Sequence, residues 1–375
     1  MTHSSSERNT HERYMRMALS FAYRGTGSVS PNPRVGCVIV DYGVEGGRAI
    51  SCGFHRNYGG FHAEVDALRK ARQSVAGCTV YVNLEPCCHV GNTPPCCDAL
   101  IEAGVSRVIV GIRDPNPKVR GGGIEHLSDA GVEVEVGVLE DECRWINRGF
   151  IRNMTIGRPW VTVKAAVSLD GRMAMPDGES KWISGEPSRV RAHLMRAEND
   201  AIVVGVGTIL KDDPMLTVRG SEGLSPLKIV IDRNLDTPPS ARVLDEGRCV
   251  FFAGAAPDEA RESKLVQRGA KIIKHTEDTG PHIPVSRILS EISAMGVNNL
   301  MVEGGAGVIG SFVASGAVDE FSLFIAPKLL GRGINLSQNI TFANMGDAIS
   351  LKQVRVRKIG DDLWLEGIPS CSPDL

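Results

Sequence analysis

A chain of 375 residues with a formal charge of −2 at neutral pH is long enough for two domains, each burying its own core. Near-neutral charge with no basic block, and aromatic residues at only 5%, give little support to an extended nucleic-acid surface. No apolar run approaches the roughly eighteen residues a membrane helix needs, so small soluble substrates suit this composition better than polymers or lipid.

The polar opening, Met1-Thr2-His3-Ser4-Ser5-Ser6, lacks an apolar signal core, which predicts a reducing cytoplasm and free thiols. A helix is expected near Glu12 to Arg24, a strand at Gly36 to Val40, and a helix from His62 to Arg72 after the Gly59-Gly60 turn. Thr79 to Leu84 is β-rich and is ended by Pro86, while Cys96 to Ala103 has helical composition closed by Gly104. A strand at Arg107 to Ile112, a helix near Gly123 to Ala130, a strand at Val132 to Val136 and a single helix from about Glu140 to Asn153 complete the first half. Gly157-Arg158-Pro159 marks the boundary, so the expected domains span 10–156 and 157–369. The second half resumes with a strand at Trp160 to Val167. Further strands are expected at Ala201-Val204, Lys228-Ile231, Cys249-Phe252, Asn299-Val302 and Glu320-Ile325, with an antiparallel finish near Val354-Val356 and Leu363-Leu365. This alternation of strands and helices predicts an α/β protein.

Chemistry concentrates at His62-Ala63-Glu64 and at Glu85-Pro86-Cys87 with Cys96. One imidazole, two thiols and a non-ligating acid are what a catalytic zinc site requires, with the fourth metal position left to water. The zinc nucleobase deaminases carry His-x-Glu followed by Pro-Cys-x-x-Cys, the Glu serving as general acid and base. Here eight residues separate the two cysteines instead of two. The thiols converge if Cys87 leaves a strand and Cys96 opens the next helix, whose N-terminus would favour a thiolate there. Glu64 cannot share a regular helix face with His62 and is therefore expected as the proton shuttle. Cys37, Cys52, Cys78, Cys143 and Cys249 read as small buried hydrophobes.

A second constellation lies late in the chain. Asn299 to Glu303 feeds Gly304-Gly305-Ala306-Gly307-Val308-Ile309-Gly310-Ser311, in which Gly305, Gly307 and Gly310 spell G-x-G-x-x-G. Such glycines bring backbone amides close to a phosphate at a helix N-terminus. Too little sequence follows for the usual Rossmann repeat, so a dinucleotide site on another α/β sheet is expected. Val204-Gly205-Val206-Gly207-Thr208 is a second glycine turn, followed by Asp212-Asp213-Pro214. Arg196 and Arg219 would suit a sugar phosphate.

Taken together, these residues resemble a known family. Pro31-Asn32-Pro33, Val35 to Val40, Gly53-Phe54-His55, His62-Ala63-Glu64, Glu85-Pro86-Cys87, Thr93-Pro94-Pro95-Cys96 and Asp114-Pro115-Asn116-Pro117 resemble the bifunctional riboflavin-biosynthesis deaminase/reductase. So do Ser168-Leu169-Asp170-Gly171-Arg172, Asp212-Asp213-Pro214, Glu303-Gly304-Gly305 and Ala326 to Gly331. In that family the long gap between the cysteines is normal. The resemblance implies a cytidine-deaminase-like α/β/α domain that removes the exocyclic amine of a diaminopyrimidinone ribosylamine phosphate. It also implies a dihydrofolate-reductase-like α/β domain that reduces the ribosyl group to a ribityl chain with NADPH. Residue by residue, it assigns one zinc ion to His62, Cys87 and Cys96 and the proton donor to Glu64. Asn32, His55 and His89 match pyrimidine- or phosphate-contacting positions. Ser180, Arg196, Leu216, Arg219 and Glu303 match substrate positions in the second half. The cofactor positions are Lys164, Ala166, Trp182, Thr208 and Asp212, together with the run Gly305, Ala306, Gly307, Val308, Ile309, Gly310 and Ser311. The partners implied are a small pyrimidine ribosyl phosphate, with neither nucleic acid nor membrane, and a homo-oligomer is compatible with the pattern.

The chain departs from the family in placing Asn92 where a Lys or Arg is common, Cys88 where Ser is usual, and Arg233 at a cofactor position often held by Ser. Two other readings compete. One is a zinc nucleoside or RNA-base deaminase fused to an unrelated dehydrogenase. The other is a structural zinc module, in which Cys88 or Cys97 would close the metal as a fourth ligand.

Overall fold

The computed structural model of the chain describes residues 5–88, 94–116, 121–219, 224–275, 280, 282–336 and 340–375. It divides into two compact units, the first ending at Gly157 and the second running from Arg158 to Asp374. Among the described residues no helix is long and apolar enough to cross a membrane.

The first unit runs α1 (Ser5–Ala22), β1 (Gly36–Asp41), β2 (Arg48–Phe54), α2 (Ala63–Lys70), β3 (Thr79–Leu84) and α3 (Cys96–Glu102). It continues with β4 (Arg107–Ile112), α4 (Gly122–Asp129), β5 (Glu133–Val136), α5 (Glu140–Ile146) and α6 (Arg148–Ile156). Its five strands are ordered β2-β1-β3-β4-β5. β1 is antiparallel to both neighbours, whereas β3, β4 and β5 are parallel. Alternate side chains on each strand feed opposite faces. Val38, Val40, Tyr81 and Ile109 meet α1, α5 and α6 through Tyr14, Met15, Cys143 and Phe150. Cys37, Ile39, Val80, Val82 and Val110 meet α2, α3 and α4 through Ala63, Ala67, Leu100 and Leu127. The result is an α/β/α layer in which Cys37, Cys78 and Cys143 are buried as expected, while Cys52 is only partly covered.

Two glycines set the layer spacing. A Cβ on Gly36 would lie 2.0 Å from the Ala18 carbonyl oxygen, and one on Gly53 would lie 2.3 Å from that of Ala63, so α1 and α2 rest directly on strand backbone. Within this first unit the sequence reading differs from the structure at two elements. β2 went unrecognised because Arg48 to Phe54 carries no clean apolar alternation. The single helix expected from Glu140 to Asn153 is two helices, broken at Asn147, whose backbone leaves the helical range at φ −104°, ψ 15°.

The second unit runs β6 (Trp160–Ser168), β7 (Arg172–Ala174), α7 (Glu186–Glu198), β8 (Ala201–Gly205), α8 (Val206–Asp212), β9 (Leu227–Ile231), β10 (Cys249–Ala253) and α9 (Glu259–Gln267). It ends with β11 (Lys271–Lys274), α10 (Val285–Ala294), β12 (Asn299–Val302), α11 (Ala306–Ala314), β13 (Glu320–Ala326), β14 (Ile334–Asn335), β15 (Leu351–Ile359) and β16 (Asp362–Pro369). Nine strands form one sheet in the order β11-β10-β9-β8-β12-β6-β13-β16-β15. It is parallel through β13 and antiparallel thereafter, the finish the sequence indicated. Ile288, Ile292, Phe312 and Val313 cover one face, and Met195, Ile209 and Leu265 the other. Cys249 is buried there too.

Candidate active sites

The strand-to-helix junctions of the first unit bring three donors together. His62 caps α2 with extended backbone (φ −68°, ψ 161°) and spends no side-chain bond on the helix, so its ring is available. Cys87 follows β3, and Cys96 is the first residue of α3. His62 Nδ1 lies 3.3 Å from Cys96 Sγ and 3.4 Å from Cys87 Sγ. All three ligand atoms fall within 4.8 Å of one another. Cys97 Sγ instead points to the carbonyls of Pro86 and Gly123, each at 3.5 Å. The convergent group is therefore three-membered among the described residues.

The electrostatics distinguish the two thiols. Hydrogen bonding from Cys96, and next from His62 against the cost of burial, lowers the Cys87 thiol to about 4. The Cys96 thiol is held well above its ordinary value, first by its bond to Cys87 and then by burial. The two thiols bond to each other, so these opposite shifts belong to the pair as a whole. The Cys87 sulfur also accepts the Cys96 N–H, the first of α3, at 3.4 Å. The bond to Cys87 raises the His62 imidazole. Glu64, only 3% exposed, has its carboxyl pushed up to about 7, chiefly by burial and then by the Cys87 charge. A carboxyl poised there suits proton transfer near neutral pH.

His55 and Asn32 stand beside this group. His55 Nδ1 lies 2.9 Å from the Phe61 carbonyl oxygen, which can only accept, so Nδ1 carries the proton and Nε2 is an acceptor. Asn32 donates Nδ2–H to that Nε2 at 3.0 Å. The His55 ring stands edge-on to His62 at 5.4 Å. His89 and Asn92 lie outside the described residues.

Three supporting residues were given no role of their own from sequence. Glu85, 3% exposed, accepts backbone N–H groups of Asp114, Gly121, Gly123 and Ile124 at 3.0–3.3 Å, tying the end of β3 to the start of α4. Asn83 and Asn147 bind the backbone around Arg34. Glu85 had a signal in its place beside Pro86-Cys87. The two asparagines had none, because their partners are remote in sequence.

In the second unit, Glu303 follows β12 and accepts Lys164 Nζ from β6 at 3.0 Å. It also takes a two-point contact from Arg196 of α7 at 2.9 and 3.0 Å. Burial alone would raise the Glu303 carboxyl. The charges of Arg196 and Lys164 outweigh it and hold the group well below the usual carboxylate range. Arg196 also donates to the Thr217 carbonyl at 3.1 Å, so much of its hydrogen-bonding capacity is met within the protein. His193 is lowered by burial and then by the charges of Arg196 and Arg219, which locates both guanidiniums in one neighbourhood. Arg219 is exposed, and Ser180 is partly covered. Leu216 is 2% exposed with φ 55°, and its side chain belongs to the core.

The glycine run behaves differently from a continuous turn. α11 begins at Ala306, leaving Gly304-Gly305 as the turn and Gly307 and Gly310 inside the helix. Helical periodicity turns Ala306, Ile309 and Gly310 to the core and leaves Gly305, Gly307 and Ser311 exposed, with Val308 partly so. Gly305 N–H donates to Thr208 Oγ1 at 3.2 Å, which joins the two glycine turns at the start of α8 and α11. Asp212 ends α8, and Ala166 is half-buried on β6. Trp182 is 63% exposed and lies under Arg189, and its carbonyl accepts Lys328 Nζ.

Known proteins share both halves. Residues 8–112 match the family described as the cytidine and deoxycytidylate deaminase zinc-binding region, and residues 159–365 match the RibD C-terminal domain. The riboflavin biosynthesis protein RibD of Escherichia coli (strain K12) is 39% identical, over 94% of this chain and 98% of its own. That of Aquifex aeolicus is 38% identical, over 95% and 98%. Among solved structures, Acinetobacter baumannii RibD aligns at TM-score 0.87 and 35% identity, covering 97% of this chain and 100% of that one. A Thermotoga maritima protein named as a diaminohydroxyphosphoribosylaminopyrimidine deaminase/5-amino-6-(5-phosphoribosylamino)uracil reductase aligns at 0.86 and 35%, covering 97% and 99%. With near-complete coverage at this identity and both halves matched, the chain belongs to the RibD family of riboflavin-biosynthesis proteins, with a deaminase half and a reductase half.

Proposed function

We propose that residues 10–156 deaminate 2,5-diamino-6-(5-phosphoribosylamino)pyrimidin-4(3H)-one, and that residues 157–369 then reduce the ribosyl group. The product is 5-amino-6-(5-phosphoribitylamino)uracil. The observation that carries the reading is the meeting of His62, Cys87 and Cys96 around a common point, with the buried carboxyl of Glu64 beside them. One imidazole and two thiols fit zinc, and three protein donors leave a position for water. A zinc ion held there supplies water with its pKa lowered from 15.7 to about 7. Glu64 carries a proton near neutral pH and delivers it to the exocyclic amine, which leaves as ammonia while water supplies the new carbonyl oxygen. Asn32 and His55 orient the pyrimidine, a role His89 would share.

In the reductase half, NADPH supplies the hydride when bound. The start of α11, where Gly305 and Gly307 are exposed, suits its phosphates, because the first N–H groups of a helix have no partner within it; from the Gly305 to Ser311 run, Ser311 is exposed as well. Thr208, Asp212, Trp182, Ala166 and Lys164 would complete the cofactor contacts. Ser180, Arg196, Arg219, Glu303 and the backbone at Leu216 would hold the substrate. The ionised Glu303 suits sugar hydroxyls, and the Arg219 side suits the phosphate.

The test is to supply the pyrimidine substrate and follow zinc content, ammonia and NADPH together. One zinc per chain and NADPH consumption that begins only after ammonia release are expected. Ammonia release with no NADPH oxidation would overturn the two-step reading.

A further inference from the structure

In the segment that carries Asn32, the Asn32 N–H donates to the Val29 carbonyl at 2.9 Å and the Val35 carbonyl accepts the His55 N–H at 3.0 Å. Pro31 and Pro33 have no N–H to give, and ladder pairing starts only at Gly36. Asn147 meets both backbone groups of Arg34, accepting its N–H at 2.8 Å and donating to its carbonyl at 3.0 Å. Asn83 donates to the same carbonyl at 3.0 Å and accepts the Gly36 N–H at 2.8 Å. A side-chain amide here does for one residue what a neighbouring strand would do. Asn147 is 2% exposed and stands at the junction of α5 and α6, so the break between those helices is what aims its amide at the segment. Two residues before Arg34, Asn32 donates to His55 Nε2, whose other nitrogen is committed to Phe61. That bond turns the Asn32 oxygen away from His55 and leaves it as an acceptor.

We propose that Asn147 is a positioning residue of the deaminase half. By fixing the backbone at Arg34 it holds the Asn32 amide in the orientation that His55 selects, with its oxygen presented to an N–H or amino group of the pyrimidine. The inference rests on the reading of Asn32 as a substrate contact given above.

A double-mutant cycle on the full-length, zinc-loaded protein tests it. Asn147→Ala is expected to raise KM for deamination about tenfold with kcat little changed, the mark of lost uniform binding. Zinc content and the reduction of separately supplied deaminated intermediate should stay at wild-type levels. Because Asn147 acts through Asn32, adding Asn147→Ala to Asn32→Ala should cost nothing further. Should the alanine variant not fold, Asn147→Ser, too short to span both Arg34 groups, carries the same cycle. Additive effects, an unchanged KM or lost zinc would each overturn the proposal. Absence of ammonia release from the wild-type protein would overturn the functional reading itself, and this inference with it.

Discussion

The meeting of Cys87, Cys96 and His62 shows how far a single residue's chemistry depends on its immediate neighbours. Zinc is bound by thiolates, so its uptake by Cys87 and Cys96 releases protons and is proton-coupled. Cys96→Ser is expected to abolish zinc binding, whereas Cys88→Ser should retain it, as atomic absorption on the purified variants will report. Glu64→Gln should keep zinc yet slow ammonia release by about a hundred- to ten-thousand-fold, the range typical of a general acid–base group. Its reductase activity should survive. Glu303 poses the opposite case, a carboxyl held ionised by Arg196 and Lys164. Its depressed value means that its stabilising contribution is complete above the unfolded value of 4.5 and is lost as pH falls below it. Glu303→Gln leaves two cations short of a partner and should cost about 3–5 kcal/mol. Urea midpoints of the second unit should therefore fall for the variant at pH 7, and the gap to wild type should narrow in acid.

At the scale of elements, the site depends on how closely helices approach strands. Gly53 lets α2 lie against β2, and His62 sits at the start of that helix. Gly53→Ala would set a methyl 2.3 Å from the Ala63 carbonyl oxygen and 2.4 Å from the Ala67 nitrogen. Overpacking of this kind costs about 1–3 kcal/mol. The shift it forces on α2 should also loosen the metal, so the variant is expected to lose zinc faster than wild type to a chelator. A melting temperature and zinc off-rate equal to wild type would refute this coupling. The same close approach recurs at Gly123, where a Cβ would lie 2.0 Å from the Pro86 carbonyl oxygen and push α4 off the arm that leads to Cys87.

The whole molecule holds two sets of cores, one pair in each unit. Ligands that bind only the native state stabilise the unit that holds them, by about 2.7 kcal/mol at a hundredfold excess over Kd. Calorimetry is therefore expected to show the unfolding of the first unit falling when zinc is chelated, and that of the second rising with NADPH. A chelator that shifts the second unit alone would contradict the assignment of metal to the first.

Much of this protein is legible along the chain. The alternation of apolar runs with helical stretches marks the α/β class, because strand and helix periodicities are local properties. His62, Glu64, Cys87 and Cys96 stand out because zinc chemistry demands those residue types, and the matching motifs carry the family. Tertiary structure alone decided the rest. Asn147 and Arg34 are 113 positions apart, so nothing near Asn147 signals that the helix must break there. β2 is a strand because β1 pairs with it, and its own composition does not require one. Ile309 and Gly310 lie in a run suited to phosphate, yet the start of α11 at Ala306 rotates them into the core. Cys87 and Cys96 meet His62 only because the starts of α2 and α3 come to one point. Local sequence sets what each segment can form, and long-range packing selects the partners that each side chain meets.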